Sequence, residues 1–141
     1  MNISEINQNN FAKAITLLKQ CNLPTEDISD TTKLFVITEG DEIIGTVGIE
    51  FYDNHALLRS LAVNNSDRSK GTGKMLVRFI EDFAKSNAIN ELFLLTTTAA
   101  EFFSRLSYSN IPREALPATI QQSSEFTSTC PLSATAMKKI L

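Results

Sequence analysis

The residues with the clearest chemical capacity are the run Arg68-Ser69-Lys70-Gly71-Thr72-Gly73-Lys74. Gly71 and Gly73 let the backbone turn sharply and approach a ligand without a Cβ clash. The cations Arg68, Lys70 and Lys74 flank them, and the following residues have helical periodicity. A helix opening there presents unpaired N–H groups and a positive dipole end, which suits a phosphate. The spacing R-x-x-G-x-G is neither common nucleotide signature: it lacks the third glycine of the dinucleotide fingerprint and the Gly-Lys-Ser/Thr end of the P-loop. By itself it is equally a plain strand-turn-helix with a solvated cationic face.

Other side chains with chemical potential are scattered. Arg59 lies in the strand-like run Leu57-Leu58-Arg59-Ser60-Leu61-Ala62-Val63. A cation in an otherwise apolar sheet needs a partner, and a guanidinium matches a carboxylate or phosphonate bidentately. Arg59 therefore reads either as a substrate anchor or as half of a structural ion pair, with Arg113 a second anchor candidate. Glu50 reads as a water-linked general base or as a solvent-facing strand residue, and Tyr108 as an acid or a packing residue. His55, the single histidine, falls in a turn where a solvent-facing role is expected, and no metal set surrounds it. Cys21 and Cys130 make neither a disulfide framework nor a metal site. Cys21 reads as a small buried hydrophobe, and Cys130, with no adjacent histidine, as structural.

The elements that must position these groups follow from periodicity. Asn2 to Ile6 predicts a short edge strand; Asn9 or Asn10 caps a helix that buries Phe11, Ile15 and Leu18. Thr25 caps a short second helix through Ile28. Leu34–Glu39 and Ile43–Phe51 form a hairpin about Gly40-Asp41. On its second strand Ile43, Gly45, Val47, Ile49 and Phe51 share one face, and Ile44, Thr46, Gly48 and Glu50 the other. Tyr52 to His55 turns into the next strand. After the glycines, Leu76, Phe79, Ile80 and Phe83 mark a buried helical stripe, opposite Lys74, Arg78, Glu81, Asp82 and Lys85. Asn87 is a left-handed stop. Glu91 to Thr96, apolar on both faces, reads as a central parallel strand, completing a right-handed strand-helix-strand crossover whose ligand crevice lies at the strands' carboxyl ends. Thr98 to Glu101 has capping-box spacing, Pro117 opens a short helix reaching Gln122, Ser123 to Thr129 is a loop or strand start, and Ser133 to Leu141 closes the chain as a strand.

Leu61-Ala62-Val63 followed by Arg68-x-x-Gly71-x-Gly73 and an apolar helix resembles the central motif of the GNAT N-acetyltransferases. Leu23-Pro24-Thr25-Glu26-Asp27, Leu57 to Val63, Leu94-Leu95-Thr96-Thr97-Thr98-Ala99, Phe102-Phe103 and Cys130-Pro131-x-Ser133-Ala134 resemble a narrower subgroup, the arsenic-resistance-type N-acetyltransferases. The resemblance implies an α/β fold: a single GNAT-like domain over residues 1–141, with a mixed, mostly antiparallel sheet, a central splayed parallel strand pair and flanking helices. It implies acetyl-CoA as co-substrate, its pyrophosphate at Arg68, Ser69, Lys70, Gly71, Thr72, Gly73 and Lys74, and its pantetheine arm and acetyl oxygen against the backbone of Leu61, Ala62 and Val63, with Thr97 and Phe103 alongside. It further implies a small amino-acid-like amine as acceptor, an arsenic- or phosphorus-containing analogue included. Two positions depart from the family. Phe103 stands where many relatives carry a tyrosine acid, and Leu57 where some carry a glutamate base. The competing readings are an amino-acid acetyltransferase of acetylglutamate-synthase type and a non-catalytic acyl-CoA sensor.

Composition bounds these readings. The 141 residues, 43% hydrophobic, suffice for one cored domain. A net charge of -3 argues against a nucleic-acid surface, so any anion site must be local. No signal-peptide pattern opens the chain and no apolar run approaches a bilayer's span. A cytoplasmic protein with reduced thiols, no metal and no membrane partner, compatible with a homodimer, is expected.

Overall fold

The computed structural model describes all residues except 1, 24, 26, 27, 29, 30, 65–69 and 122–133. Among the described residues the chain runs β1 (Asn2–Glu5), α1 (Phe11–Gln20), β2 (Thr32–Glu39), β3 (Glu42–Tyr52), β4 (His55–Val63), α2 (Thr72–Ser86), β5 (Glu91–Thr96), α3 (Ala100–Ser104), β6 (Ser109–Ile111), a 3₁₀ turn (Arg113–Ala115), α4 (Ala118–Gln121) and β7 (Thr135–Ile140). The strands make one sheet in the order β1-β2-β3-β4-β5-β7-β6. Every neighbouring pair is antiparallel except β4 and β5. The expected short helix from Thr25 to Ile28 falls partly, and the Ser123–Thr129 segment wholly, outside the described residues.

Both sheet faces are covered, which is why β4 and β5 can be apolar on both sides. On one face α2 lays Leu76, Val77, Ile80 and Ala84 against Ile37, Val47, Ile49, Leu58, Leu92 and Leu94. Phe79 and Phe83 meet Phe35 edge to face, with ring centroids 4.9 and 5.1 Å apart. On the other face α1 packs Ala14 on Leu34 and Val36 and Leu17 and Leu18 on Ala62, while Leu116 and Ile120 cover Leu57, Phe93 and Leu95. Burying each such side chain is worth about 1.5–3 kcal/mol.

Local chemistry departs from expectation at six points, the first being that α1 buries Ala14, Leu17 and Leu18 and leaves Phe11 39% exposed. A bulge between Ile37 and Thr38 skips Ile44 in the β2–β3 register. Ile44 therefore joins the α2-side core and Ile43 the α1 side, the reverse of strict alternation. Asn10 heads α1 without a side-chain cap, because its Oδ1 accepts from the Asn7 amide instead. Thr98 and Glu101 do not form a capping box: Ala99 heads α3, its amide donating to Thr96 Oγ1. The left-handed residue after α2 is Ala88, φ 63°, rather than Asn87. Glu81, expected on the polar face of α2, is buried.

Candidate active site

The site begins with a failure of strand pairing. β4 and β5 pair in parallel only from His55–Glu91 to Leu57–Phe93. Beyond that point β5 continues beside β7 as far as Thr96, while β4 stays with β3 as far as Val63. The two strands diverge towards their carboxyl ends. The cause lies in β4, where Ser60 adopts φ 59° and the β3–β4 register shifts between Thr46 and Gly48. A left-handed residue in a strand is a bulge that bends and twists it. Thr46 Oγ1 donates to the Ser60 carbonyl at 2.8 Å and fastens the bulge. Leu61, Ala62 and Val63 thus follow the bend and border the opening.

α2 starts at the same end of β4. Gly71 heads it with φ 82°, a conformation that strains any L side chain, and its Cβ position faces open space. The amides of the first helical turn have no intrahelical acceptor. At Gly73 a Cβ would stand 3.2 Å from Phe102 Cζ, so the bare backbone there lets α3 close against the head of α2. Thr72 is buried, Lys70 and Lys74 are exposed, and Thr97 is exposed just past β5. A helix head with bare backbone beside a strand gap is a shape that a diphosphate and an extended arm would fit. Arg68, Ser69 and Cys130 lie outside the described residues.

A buried polar cluster occupies the sheet face opposite α2. Glu50 and Arg59 are 4% and 3% exposed. Arg59 Nη1 donates to Glu50 Oε2 at 3.1 Å, and Arg59 Nε to Ser60 Oγ at 3.1 Å. Thr32 Oγ1 also donates to Glu50 Oε2, and the Tyr52 hydroxyl to Oε1 at 2.6 Å. Three donors thus ring one carboxylate, as a buried charge requires. Gly48, opposite Arg59, would place a Cβ 3.5 Å from its Cγ, so the glycine leaves room for the arginine stem. Glu50 is not solvent-facing, and its cross-strand partner is Leu57. A carboxylate is therefore present beside the leucine, on the neighbouring strand.

The remaining candidates are placed elsewhere. Tyr108 is buried on the α2 side, its hydroxyl donating to Glu81 Oε2 at 2.9 Å. Burial first, then the Glu81 charge and hydrogen bond, push its pKa far above the ordinary tyrosine range. A phenol so held does not release a proton to a leaving group. Phe103 is buried in the core, edge to face with Phe102 and Tyr108. Arg113 is half-buried in the 3₁₀ turn, with Nη1 donating to the Ala134 carbonyl at 3.2 Å. His55 begins β4, away from the divergence, edge-on to Phe93 with Nδ1 3.8 Å from Glu91. The sequence reading missed Thr32, Tyr52 and Ser60. Tyr52 was discoverable, since residues two apart on a strand share a face with Glu50; Thr32 required the sheet register.

Residues 7–108 match the acetyltransferase (GNAT) family. An uncharacterized N-acetyltransferase of Chlorobaculum tepidum is 34% identical over 119 residues, covering 84% of this chain and 74% of that one. A GNAT-family acetyltransferase of Staphylococcus aureus Mu50 has the same fold, with TM-score 0.79 and 19% identity over 99% of this chain and 98% of that one. N-acetylglutamate synthase of Neisseria gonorrhoeae, solved with coenzyme A and N-acetyl-glutamate, superposes with TM-score 0.84 and 16% identity over 99% of this chain and 35% of that one. The chain belongs to the GNAT acetyltransferase family and is an acetyl-CoA-dependent acyltransferase. Among the described residues no helix is long and apolar enough to cross a membrane.

Proposed function

We propose that this enzyme acetylates the primary amine of a small amino-acid-like acceptor, arsenic- or phosphorus-containing analogues included, bound against the Glu50–Arg59 face. The observation that carries this reading is the buried pair itself, placed across the sheet from α2 and beside the strand divergence. A carboxylate next to a guanidinium is the charge complement of a zwitterion: Glu50 meets the ammonium through a water, and Arg59 is the complement of an oxyanion of carboxylate or phosphinate type. Arg113 contributes positive charge on the same side.

In the reaction the amine nitrogen attacks the thioester carbonyl, a C–N bond forms and the C–S bond breaks. Glu50 accepts the amine proton through a water, replacing the glutamate absent at Leu57. A backbone N–H of the Leu61–Val63 segment donates to the developing oxyanion, a contact worth a few kcal/mol, about what single oxyanion donors supply elsewhere. No side chain is required as leaving-group acid, since a thiolate with a pKa near 8.5 departs readily.

The test is thiol release from acetyl-CoA over a panel of amines: ordinary amino acids including glutamate, phosphinate and arsinate analogues, and amines with no oxyanion. Glu50→Gln should lower kcat/KM by about 10²-fold or more while coenzyme binding, read by calorimetry, is retained. Arg59→Lys keeps the charge and loses the fork, so it should raise KM for oxyanion-bearing acceptors alone. Equal turnover of amines without an oxyanion would remove the zwitterion reading. Preference for ordinary glutamate over the analogues would assign the acetylglutamate-type activity instead.

A further inference from the structure

The hydrogen bonds on Glu50 divide unevenly between its two oxygens. A carboxylate offers about four acceptor sites, two on each oxygen. Oε2 accepts from Arg59 Nη1 and from Thr32 Oγ1, which fills both of its sites. Oε1 accepts from the Tyr52 hydroxyl at 2.6 Å and from no other group among the described residues. One acceptor site is therefore left on the carboxylate, and it lies on Oε1 beside the phenol oxygen. Tyr52 is well placed to hold this arrangement. It stands two residues from Glu50 on β3, so the two side chains share a face. Its ring packs against the buried cluster that contains Leu57, Phe93 and Ile120, which aims the hydroxyl from a fixed ring rather than from a flexible stem.

We infer that Tyr52 is the positioning residue of the base: its hydroxyl holds the carboxylate so that the remaining site on Oε1 meets the water that relays the acceptor's proton. The inference rests on the reading of Glu50 as a water-linked base and adds a residue to it. As the amine attacks, its N–H proton passes to the water, the water's own proton passes to Oε1, and after product release that proton returns to solvent. Arg59 and Thr32 stay on Oε2 throughout. Tyr52 is the protein group that borders the oxygen whose bonding changes. Without the phenol, Oε1 has two open sites, and the terminal torsion of a glutamate is broad. The water then loses its single seat. The penalty falls on proton transfer rather than on coenzyme binding.

Steady-state kinetics and calorimetry with coenzyme A, on the full chain and with the best acceptor of the amine panel, test this. Tyr52→Phe keeps the packed ring and removes only the hydroxyl. Its kcat should fall about tenfold, a fraction of what a general base contributes, while acceptor KM and coenzyme affinity are retained. In a Glu50→Gln background the same change should cost nothing further, since a positioning residue has no effect once the group it positions is gone. An equal loss in both backgrounds, or a loss of coenzyme affinity together with turnover, would make the hydroxyl a structural part of the sheet and overturn the inference. An unchanged kcat in Tyr52→Phe would overturn it too, leaving Glu50 and acetyl transfer standing. Unchanged turnover in Glu50→Gln would instead remove the base itself, and with it this role for Tyr52.

Discussion

Glu50 and Tyr108 are both buried but engage different partners. Glu50 sits beside the strand gap with an arginine and two hydroxyls on its carboxylate. Tyr108 is locked against Glu81 on the far face of the sheet. Its raised pKa has a consequence for stability, because the folded state holds the phenolic proton more tightly than the unfolded chain does. That contribution is complete below about pH 10, where unfolded tyrosine titrates, and is lost as the pH rises beyond it towards the folded value. The unfolding free energy should therefore fall between about pH 10 and 11, and Tyr108→Phe should flatten this part of the profile. Denaturant midpoints measured across that range for both proteins check it; parallel slopes would place the alkaline loss elsewhere. The sequence offered Tyr108 as an acid or a packing residue and Glu81 on the polar face of a helix, with nothing to link the two. Their contact spans 27 positions and depends on the chain between α3 and β6 returning to the α2 side of the sheet.

At the level of elements, the decisive feature is the bend in β4. The run Leu57 to Val63 is legible as a strand, and a parallel neighbour at Glu91 to Thr96 follows from the intervening amphipathic helix, although the two pair only at His55–Leu57 with Glu91–Phe93. The left-handed turn at Ser60 has no such signature, since serine gives no hint of positive φ. It is imposed by the β3 register and by the Thr46 hydroxyl bound to its carbonyl. Ser60→Gly should accept the bulge without loss, apart from the small bond to Arg59, and preserve coenzyme affinity. Ser60→Val, a β-branched residue in the left-handed region, should cost about 1–3 kcal/mol and weaken coenzyme binding as β4 straightens. Urea denaturation and calorimetry separate the two effects. A valine variant that binds coenzyme normally would show that the bulge does not shape the gap.

On the scale of the whole molecule, one sheet is held between two layers, and the α2 layer is packed without slack. At Gly45 an added Cβ would lie 2.9 Å from Leu76 Cδ1 and 3.0 Å from the Ala62 carbonyl oxygen. The first can rotate away; the second belongs to the β4 backbone. Gly45→Ala should destabilise the protein by about 1–3 kcal/mol, the usual cost of overpacking, lowering the thermal midpoint by several degrees. An unchanged midpoint would mean that β4 moves freely against β3, contrary to the fastened bulge.

Periodicity along the chain indicated the β2–β3 hairpin, the crossover helix and the glycine-lined helix head, because each depends on neighbours within a few residues, while the family and its sheet came from the resemblance of the residue motif. Only the tertiary structure decided that Glu50 meets Arg59, that Ile43 and Ile44 exchange faces, that Tyr108 is withdrawn from chemistry, and that the expected splay of β4 from β5 begins after Leu57. These are matters of register between strands. A bulge of one residue moves every later side chain to the opposite face, and nothing in the local sequence records where that happens.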